Sequence, residues 1–349
     1  MVRNPSQLLS ASVFMGLLTG GGVVWGQVPP MVSSQPVTPK PPASQPATAP
    51  STPASATARR VITAGFVRAD PGSPWQAAVA DSVHAEAENR GVTLKVLGAA
   101  SQEGQVEALR ALIAAKMDAL ILAPLDETGW DAVLREAKAA QIPVFLVGGG
   151  IRTTEGGAVK TVVMSDPLGQ GRMVAGWLAE KTEGRCNFVE LQGPAEAAMT
   201  IDRKRGLEQI IQDEFPNLVV LKSQSADGAR AKGNEVMESF LKAEGKHIQA
   251  VFAHNDDMAL GAVEALAAAG FKPGHDVLII SIDATKPALE AIVQGKLNAS
   301  IECNPVLGPL VFDALITTVR GGKVPYKILV KDELFDATSA KDRLAARPY

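Results

Sequence analysis

Ala250-Val251-Phe252-Ala253-His254-Asn255-Asp256-Asp257-Met258-Ala259-Leu260-Gly261 changes character in its middle. The run up to Ala253 is too short and too apolar for a surface helix, and it is framed like a parallel strand covered on both faces. A polar knot follows, and then a helix is expected from about 257 to 269, stopped by Gly270. Asn255 or Asp256 has the chemistry to cap that helix. In an open α/β sheet the carboxyl ends of strands are where ligands bind, in the crevice between loops. Two readings of the knot therefore stand: side chains that hold a hydroxyl-rich ligand, or plain helix caps.

The same strand-then-helix unit recurs on both sides of this stretch. Strands are expected at 61–67, 92–97, 119–122 and 143–147, with helices at 75–89, 103–115 and 129–140 between them. After Gly148-Gly149-Gly150 come strands at 161–164, 187–191, 218–221, 248–252, 277–281 and 299–301. Helices at 168–181, 201–213, 229–243, 257–269, 287–293 and 307–319 alternate with them. Strands spaced by single helices imply right-handed parallel crossovers and doubly wound sheets. The strands are too many for one comfortable sheet, so two similar lobes are expected, with the cleft between them as the default binding site. Polar residues follow the strands: Arg68 and Asp70, Asp126, Arg203, Asn255 and Asp283. They are spread over both halves, as two lobes closing on one small ligand require, and they form no catalytic set. The glycine run at 148–150 could cradle a phosphate through its amides, although no helix is expected to open directly after it.

Composition narrows the function classes. At 349 residues with 46% hydrophobic content, the chain can bury a large core. A net charge of −3 and a pI near 5.9 offer nothing to nucleic acid or to an anionic membrane. Cys186 and Cys303 have no ligand-spaced partners, so no metal site and no cofactor is expected; they are either a pair formed in an oxidising compartment or two buried thiols.

The amino-terminal segment reads as an export address. Arg3, the apolar run from Leu8 to Leu18 and the small residues before Gln27 have the layout of a signal peptide over 1–26, either cleaved or kept as an anchor. Residues 27–59 are almost wholly Pro, Ala, Ser, Thr, Val and Gln, a composition that builds no core and reads as a disordered or polyproline-like spacer. Fully extended, such a spacer reaches on the order of 90 Å at about 3.1 Å per residue.

A family resemblance becomes legible when the segments are taken in order. Gly65-Phe66, Trp75, Ile121-Leu122-Ala123-Pro124, Ile142-Pro143-Val144-Phe145, Glu190-Leu191-Gln192-Gly193, Ile201-Asp202-Arg203-Lys204-Arg205-Gly206 and Ala253-His254-Asn255-Asp256-Asp257-Met258 carry it. Together they resemble the ribose-binding-protein-like periplasmic sugar-binding proteins of ABC transporters, over about residues 60 to 349. The resemblance implies a type I periplasmic binding fold: two doubly wound parallel-sheet lobes joined by a three-strand hinge that closes on a sugar. The implied lobes are discontinuous, 60–165 plus about 304–326 and 166–303 plus about 327–340. It also implies an exported monomer in the periplasm or cell envelope that hands a carbohydrate to an ABC permease. The related LacI-type repressors share this core, but no helix-turn-helix precedes Val61, which argues against DNA binding.

Position by position, the resemblance makes Trp75 the aromatic that stacks on the sugar ring and Arg203 the fork onto ring and hydroxyl oxygens. It makes Asn255 a reader of hydroxyls and Asp283 an acceptor from two of them, with Asp256 as helix cap and hinge support and His254 as structural. The departures are informative. The family's Asp-Arg pair after the Val-Phe-Leu strand is Gly148-Gly149 here, the Arg that one member of it carries beside the tryptophan is Gln76, and a further stacking aromatic of the family is Gly228. Charged hydrogen bonds are worth about 1.5–3 kcal/mol each, so their loss costs several kcal/mol against about 8 for a micromolar complex. Arg68 and Arg152 stand near enough to compensate, and the glycines leave room for a larger ligand such as a glycoside or disaccharide. Two other activities fit parts of this pattern: a ligand-presenting sensor for a membrane receptor or kinase, and an exported enzyme acting on a nucleotide or sugar phosphate. The resemblance's customary partner for Cys186 is replaced near Gln249, which weighs against the family's disulfide.

Overall fold

The computed structural model describes residues 60–70, 72–347 and 349; the expected signal peptide and spacer lie outside the described residues. The first lobe begins with β1 (Thr63–Ala69), α1 (Pro74–Arg90), β2 (Thr93–Ala99), α2 (Gln102–Ala114), β3 (Ala119–Leu122), α3 (Asp131–Ala139), β4 (Val144–Val147) and β5 (Val159–Met164). The chain then crosses to the second lobe and runs α4 (Pro167–Lys181), β6 (Cys186–Gln192), α5 (Ala198–Asp213), β7 (Leu218–Ser225) and α6 (Arg230–Glu244). It continues through β8 (Ala250–Ala253), α7 (Asp256–Ala268), β9 (Leu278–Asp283), α8 (Lys286–Val293) and β10 (Ala299–Glu302). Then α9 (Gly308–Val319) and β11 (Lys327–Leu329) return to the first lobe, and β12 (Leu334–Asp336) and α10 (Ala340–Leu344) to the second.

The first sheet has the order β11-β5-β4-β3-β1-β2 and is parallel throughout. The second, β12-β10-β9-β8-β6-β7, is parallel except for the antiparallel edge strand β12. Strands β3, β4 and β8 are buried at every residue, which is why their sequences are unbroken apolar runs rather than alternations. Each sheet carries one apolar layer per face. Phe66, Phe145 and Phe312 lie in the layer under α1 and α9, and Leu109, Leu120 and Trp130 in the layer under α2 and α3. In the second lobe Phe188, Phe252 and Leu207 lie under α4 and α5, and Val251, Met258 and Leu289 under α6 to α8.

Three segments join the lobes: Ser165-Asp166, Cys303 to Leu307 and Val330 to Glu333. They are tied together by one carboxylate. Asp332 accepts from the Ser165 hydroxyl at 2.8 Å, the Asn304 amide at 3.2 Å and the Gln170 side-chain amide at 2.9 Å.

The sequence reading departs from this architecture in a few places. Residues 327–329, expected in the second lobe, pair with β5 in the first, so the last crossover falls after Leu329. A three-residue edge strand with exposed Lys327 and Leu329 has no apolar pattern to announce it. β12 and α10, which the sequence reading does not name, add a closing edge to the second sheet.

Candidate functional site

Trp75 stands on the first turn of α1, which begins at Pro74 behind a Ser73–Gln76 capping box. Its indole Nε1 donates to the Cys303 carbonyl of the second crossover at 2.6 Å, and its ring packs against the apolar layers of both lobes. Beneath the ring lies Gly148, whose φ of +79° suits glycine and where a Cβ would sit 2.8 Å from the indole. The absence of a side chain at 148 is what lets the tryptophan lie down between hinge and strand end. Gly149 and Gly150 face open space instead: a Cβ at 149 would meet only Pro124 at 3.9 Å, and one at 150 nothing within 4 Å. Gln76 lines the cleft, but its side-chain oxygen accepts from the Ser73 amide at 2.8 Å.

The opposite wall is built by α5, β8 and β9. Arg203 is 6% exposed, with Nε donating to the Gln170 side-chain oxygen at 2.9 Å and Nη1 to the His254 carbonyl at 2.6 Å. Its Nη2 is buried and makes no hydrogen bond. Two helix–helix contacts hold α5 in place. A Cβ at Gly171 of α4 would fall 1.9 Å from the Arg203 carbonyl, and one at Gly206 of α5 would fall 2.0 Å from the Leu168 carbonyl. Only glycine allows that approach.

Asp283 ends β9 with φ of +122°, a conformation that non-glycine residues rarely adopt and that clusters at binding sites. Burial, and then the neighbouring Asp256, push its carboxyl up to about 8, with Arg203 pulling the other way. Its carbonyl accepts from the Cys303 amide at 3.4 Å, so Trp75, Cys303 and Asp283 form one continuous surface.

The polar knot after β8 resolves into distinct parts. Asn255 is the cap of α7: its extended backbone lets the side-chain oxygen accept from the Met258 amide at 2.9 Å, while Nδ2 donates to the Gly228 carbonyl at 2.9 Å. The cap expected at Asp256 is thus one residue earlier. Asp256 is instead a buried carboxyl held by the hydroxyls of Ser281 at 2.5 Å, Ser300 at 2.7 Å and Thr285 at 2.8 Å, bracing the ends of β9 and β10. His254 is 1% exposed and its Nε2 meets Glu190 at 2.9 Å. Burial holds the imidazole below its ordinary value, so it is neutral and donates. Burial pushes Glu190 up, but His254, Ser223 and Gln192 outweigh it and keep the carboxylate ionised beside Lys204 at 3.1 Å.

Other expected residues lie elsewhere. Arg68 donates to its neighbour's carbonyl at Ala69 and pairs loosely with Asp70 at 3.6 Å; it does not line the cleft cavity. Arg152 stands at the rim, 3.5 Å from Glu127. Cys186 and Cys303 are free and buried, and burial pushes their thiols up to about 11 and about 12. Among the described residues no cluster of side chains could hold a metal ion, and no helix is long and apolar enough to cross a membrane. The glycine run leads into a loop, not a helix, so it lacks the helix amino terminus that a phosphate seat uses.

A cavity of about 410 Å³ extends from Trp75 along the glycine run to Ala198, Met199 and Asp202 of the second lobe; Arg203, Asn255 and Asp283 do not line it. Glu127 of the first lobe reaches over it and accepts the Ala198 amide, the first of α5, at 2.6 Å. Gln170, Asp332, Glu127 and the Cys303 carbonyl were invisible as site residues in the sequence, because each acts through a partner more than thirty residues away.

The periplasmic binding protein domain family matches residues 64–323. The galactofuranose-binding protein of Escherichia coli (strain K12) is 43% identical over 288 residues, 81% of this chain and 90% of that protein. The ribose import binding protein of Bacillus subtilis (strain 168) is 33% identical over 268 residues, 76% of this chain and 84% of that one. A solved structure, the periplasmic binding component of the arabinose ABC transporter from Shewanella sp. ANA-3 bound to α- and β-L-arabinofuranose, superimposes with a TM-score of 0.75. It is 41% identical, covering 82% of this chain and 95% of that one.

Proposed function

The chain belongs to the periplasmic binding protein family, and on that premise we propose that it is an exported protein of the cell envelope that delivers a carbohydrate to an ABC sugar permease. It is a binding protein and not an enzyme. The observation that carries the reading is the unpartnered, buried Nη2 of Arg203, which follows Ala198, Met199 and Asp202 on α5, the residues that line the cleft opposite Trp75. A buried guanidinium donor without a protein acceptor costs stability unless a ligand supplies one, and sugar hydroxyls and ring oxygens are acceptors of the right kind.

In this assignment the sugar's C–H face rests on Trp75 and its oxygens take Arg203 Nη2. Asp283 accepts from hydroxyls, and Asn255 contributes the amide hydrogen left over from its bond to Gly228. Gln76 contributes at the mouth through its side-chain amide. Arg68 is assigned no contact, since it pairs with Ala69 and Asp70 and does not line the cavity. Work is done by differential affinity: the ligand touches both lobes only when they are closed, so it draws the hinge shut. Because Gly149 and Gly150 add no side chains and face open space, the ligand is larger than a bare pentose or hexose, a glycoside or disaccharide.

The direct test is to purify the protein from its own host, denature it and identify the released small molecule by mass spectrometry. The expected product is a neutral saccharide derivative. A nucleotide or sugar phosphate, or a protein that calorimetry shows binding no member of a carbohydrate panel, would overturn the reading.

A further inference from the structure

The interlobe cavity shares Trp75 and Gln76 with the place assigned to the sugar, and its chemistry is different from that of Arg203, Asn255 and Asp283, which do not line it. From Trp75 it runs over Gly149 and Gly150 and is walled by Pro124, Ile151, Met164, Pro167, Met199 and Tyr326. Its volume of about 410 Å³ is within the range of about 300–1,000 Å³ seen for small-molecule sites. The polar side chains on its edge are mostly already engaged. Glu127 is taken by the Ala198 amide and Arg152, Asp202 by Arg205 at 2.9 Å, and the Gln76 oxygen by the Ser73 amide. Asp126 and Lys327 stand exposed at the mouth, where water serves them.

We infer that this cavity is a subsite for an apolar aglycone, so that the protein's ligand is an alkyl or aryl glycoside, with the sugar between Trp75 and Arg203 and the aglycone over the glycine run. The inference rests on the sugar reading of the cleft. A second sugar ring would bring several hydroxyls into a space whose side-chain acceptors, apart from Asp126 at the mouth, are already engaged, leaving most of them unpaired at a cost. A phosphate or uronate would face the Glu127, Asp126 and Asp202 carboxylates with only Lys327 and the engaged Arg152 and Arg205 near. An alkyl chain or aromatic ring meets prolines, thioethers, an isoleucine and the faces of Trp75 and Tyr326, and its burial is favourable in proportion to area.

The test is calorimetry with methyl, n-hexyl and 4-nitrophenyl glycosides of D-galactofuranose and L-arabinofuranose, on the wild-type protein and on Gly149→Ala and Gly149→Val. The Gly149 backbone is not left-handed and a Cβ there would touch only Pro124, and a melting curve of each variant confirms that it is folded. The expected result is that, for the sugar that binds, the hexyl and nitrophenyl forms bind at least tenfold tighter than the methyl form. That ratio shrinks in Gly149→Ala and approaches one in Gly149→Val. Equal affinity of methyl and hexyl forms, or an unchanged ratio in Gly149→Val, overturns the aglycone subsite while leaving the sugar reading intact. Failure of every glycoside and of both free sugars to bind overturns the sugar reading, and the subsite with it.

Discussion

Trp75 and Asp283 are two of the residues proposed to meet the ligand, and each makes a prediction that separates binding from packing. The Trp75 indole is anchored at Nε1 by the Cys303 carbonyl and supported from below by Gly148, so one face is pre-set. Trp75→Ala is expected to weaken saccharide binding by about 2 kcal/mol, roughly thirtyfold, from lost apolar area and ring geometry. Calorimetry decides it: unchanged affinity with a lowered melting temperature would make Trp75 a packing residue only. Asp283 makes a pH prediction. Its folded value of about 8 is well above the ordinary carboxylate value, so the fold favours the protonated form. Such a group contributes stability that is complete below about pH 4 and is lost as pH rises towards about 8. Melting temperature should therefore fall over that window in the wild type and fall less in Asp283→Asn. Parallel curves for the two proteins would place the titration elsewhere.

At the scale of elements, the contact between α4 and α5 places the arginine. Gly171 and Gly206 bring the two backbones together, and Gln170 on α4 then reaches the Arg203 Nε on α5. Gly206→Ala would force the helices apart and is expected to cost about 1–3 kcal/mol of stability. It should also weaken ligand binding, because Arg203 rides on the displaced helix. The control is Gly176→Ala, also on α4, where a Cβ meets nothing within 4 Å. There the change should be neutral or stabilising by up to about 1 kcal/mol. Urea titrations of the two variants, followed by calorimetry, check both statements; equal behaviour of the two would refute the contact's role.

At the scale of the whole molecule, two carboxylates span the segments and lobes that a closing motion would move. Asp332 gathers all three crossovers, while Glu127 sits at the amino terminus of α5 across the cleft. A carboxylate at a helix amino terminus is worth about 0.3–1 kcal/mol, enough to shift an open–closed balance by about two- to fivefold. Glu127→Ala should thus enlarge the radius of gyration of the unliganded protein in small-angle X-ray scattering. Saturating ligand should restore the wild-type value. No change without ligand would show that the contact does not hold the lobes together.

The strand–helix alternation, the two lobes, the cleft and the family were all legible in the chain, because each rests on local apolar patterning and on motifs contained within a few residues. The same holds for the change of character at Gly148-Gly149-Gly150. The cap at Asn255, the bracing role of Asp256 and the first-lobe place of β11 were decided by the tertiary structure. Which of two adjacent polar residues caps a helix depends on backbone angles, and an exposed three-residue edge strand has no apolar signature. The site itself divides the same way. Arg203 and Trp75 are proposed from sequence, but the free Nη2 and the supported indole face exist only through Gln170, His254, Cys303 and Gly148, each brought in by the fold. Local sequence determines which elements form, since hydrophobic periodicity and caps act over a single turn or strand. Only the packing of distant elements decides which donors are left without a partner, and those unsatisfied groups are what a ligand answers.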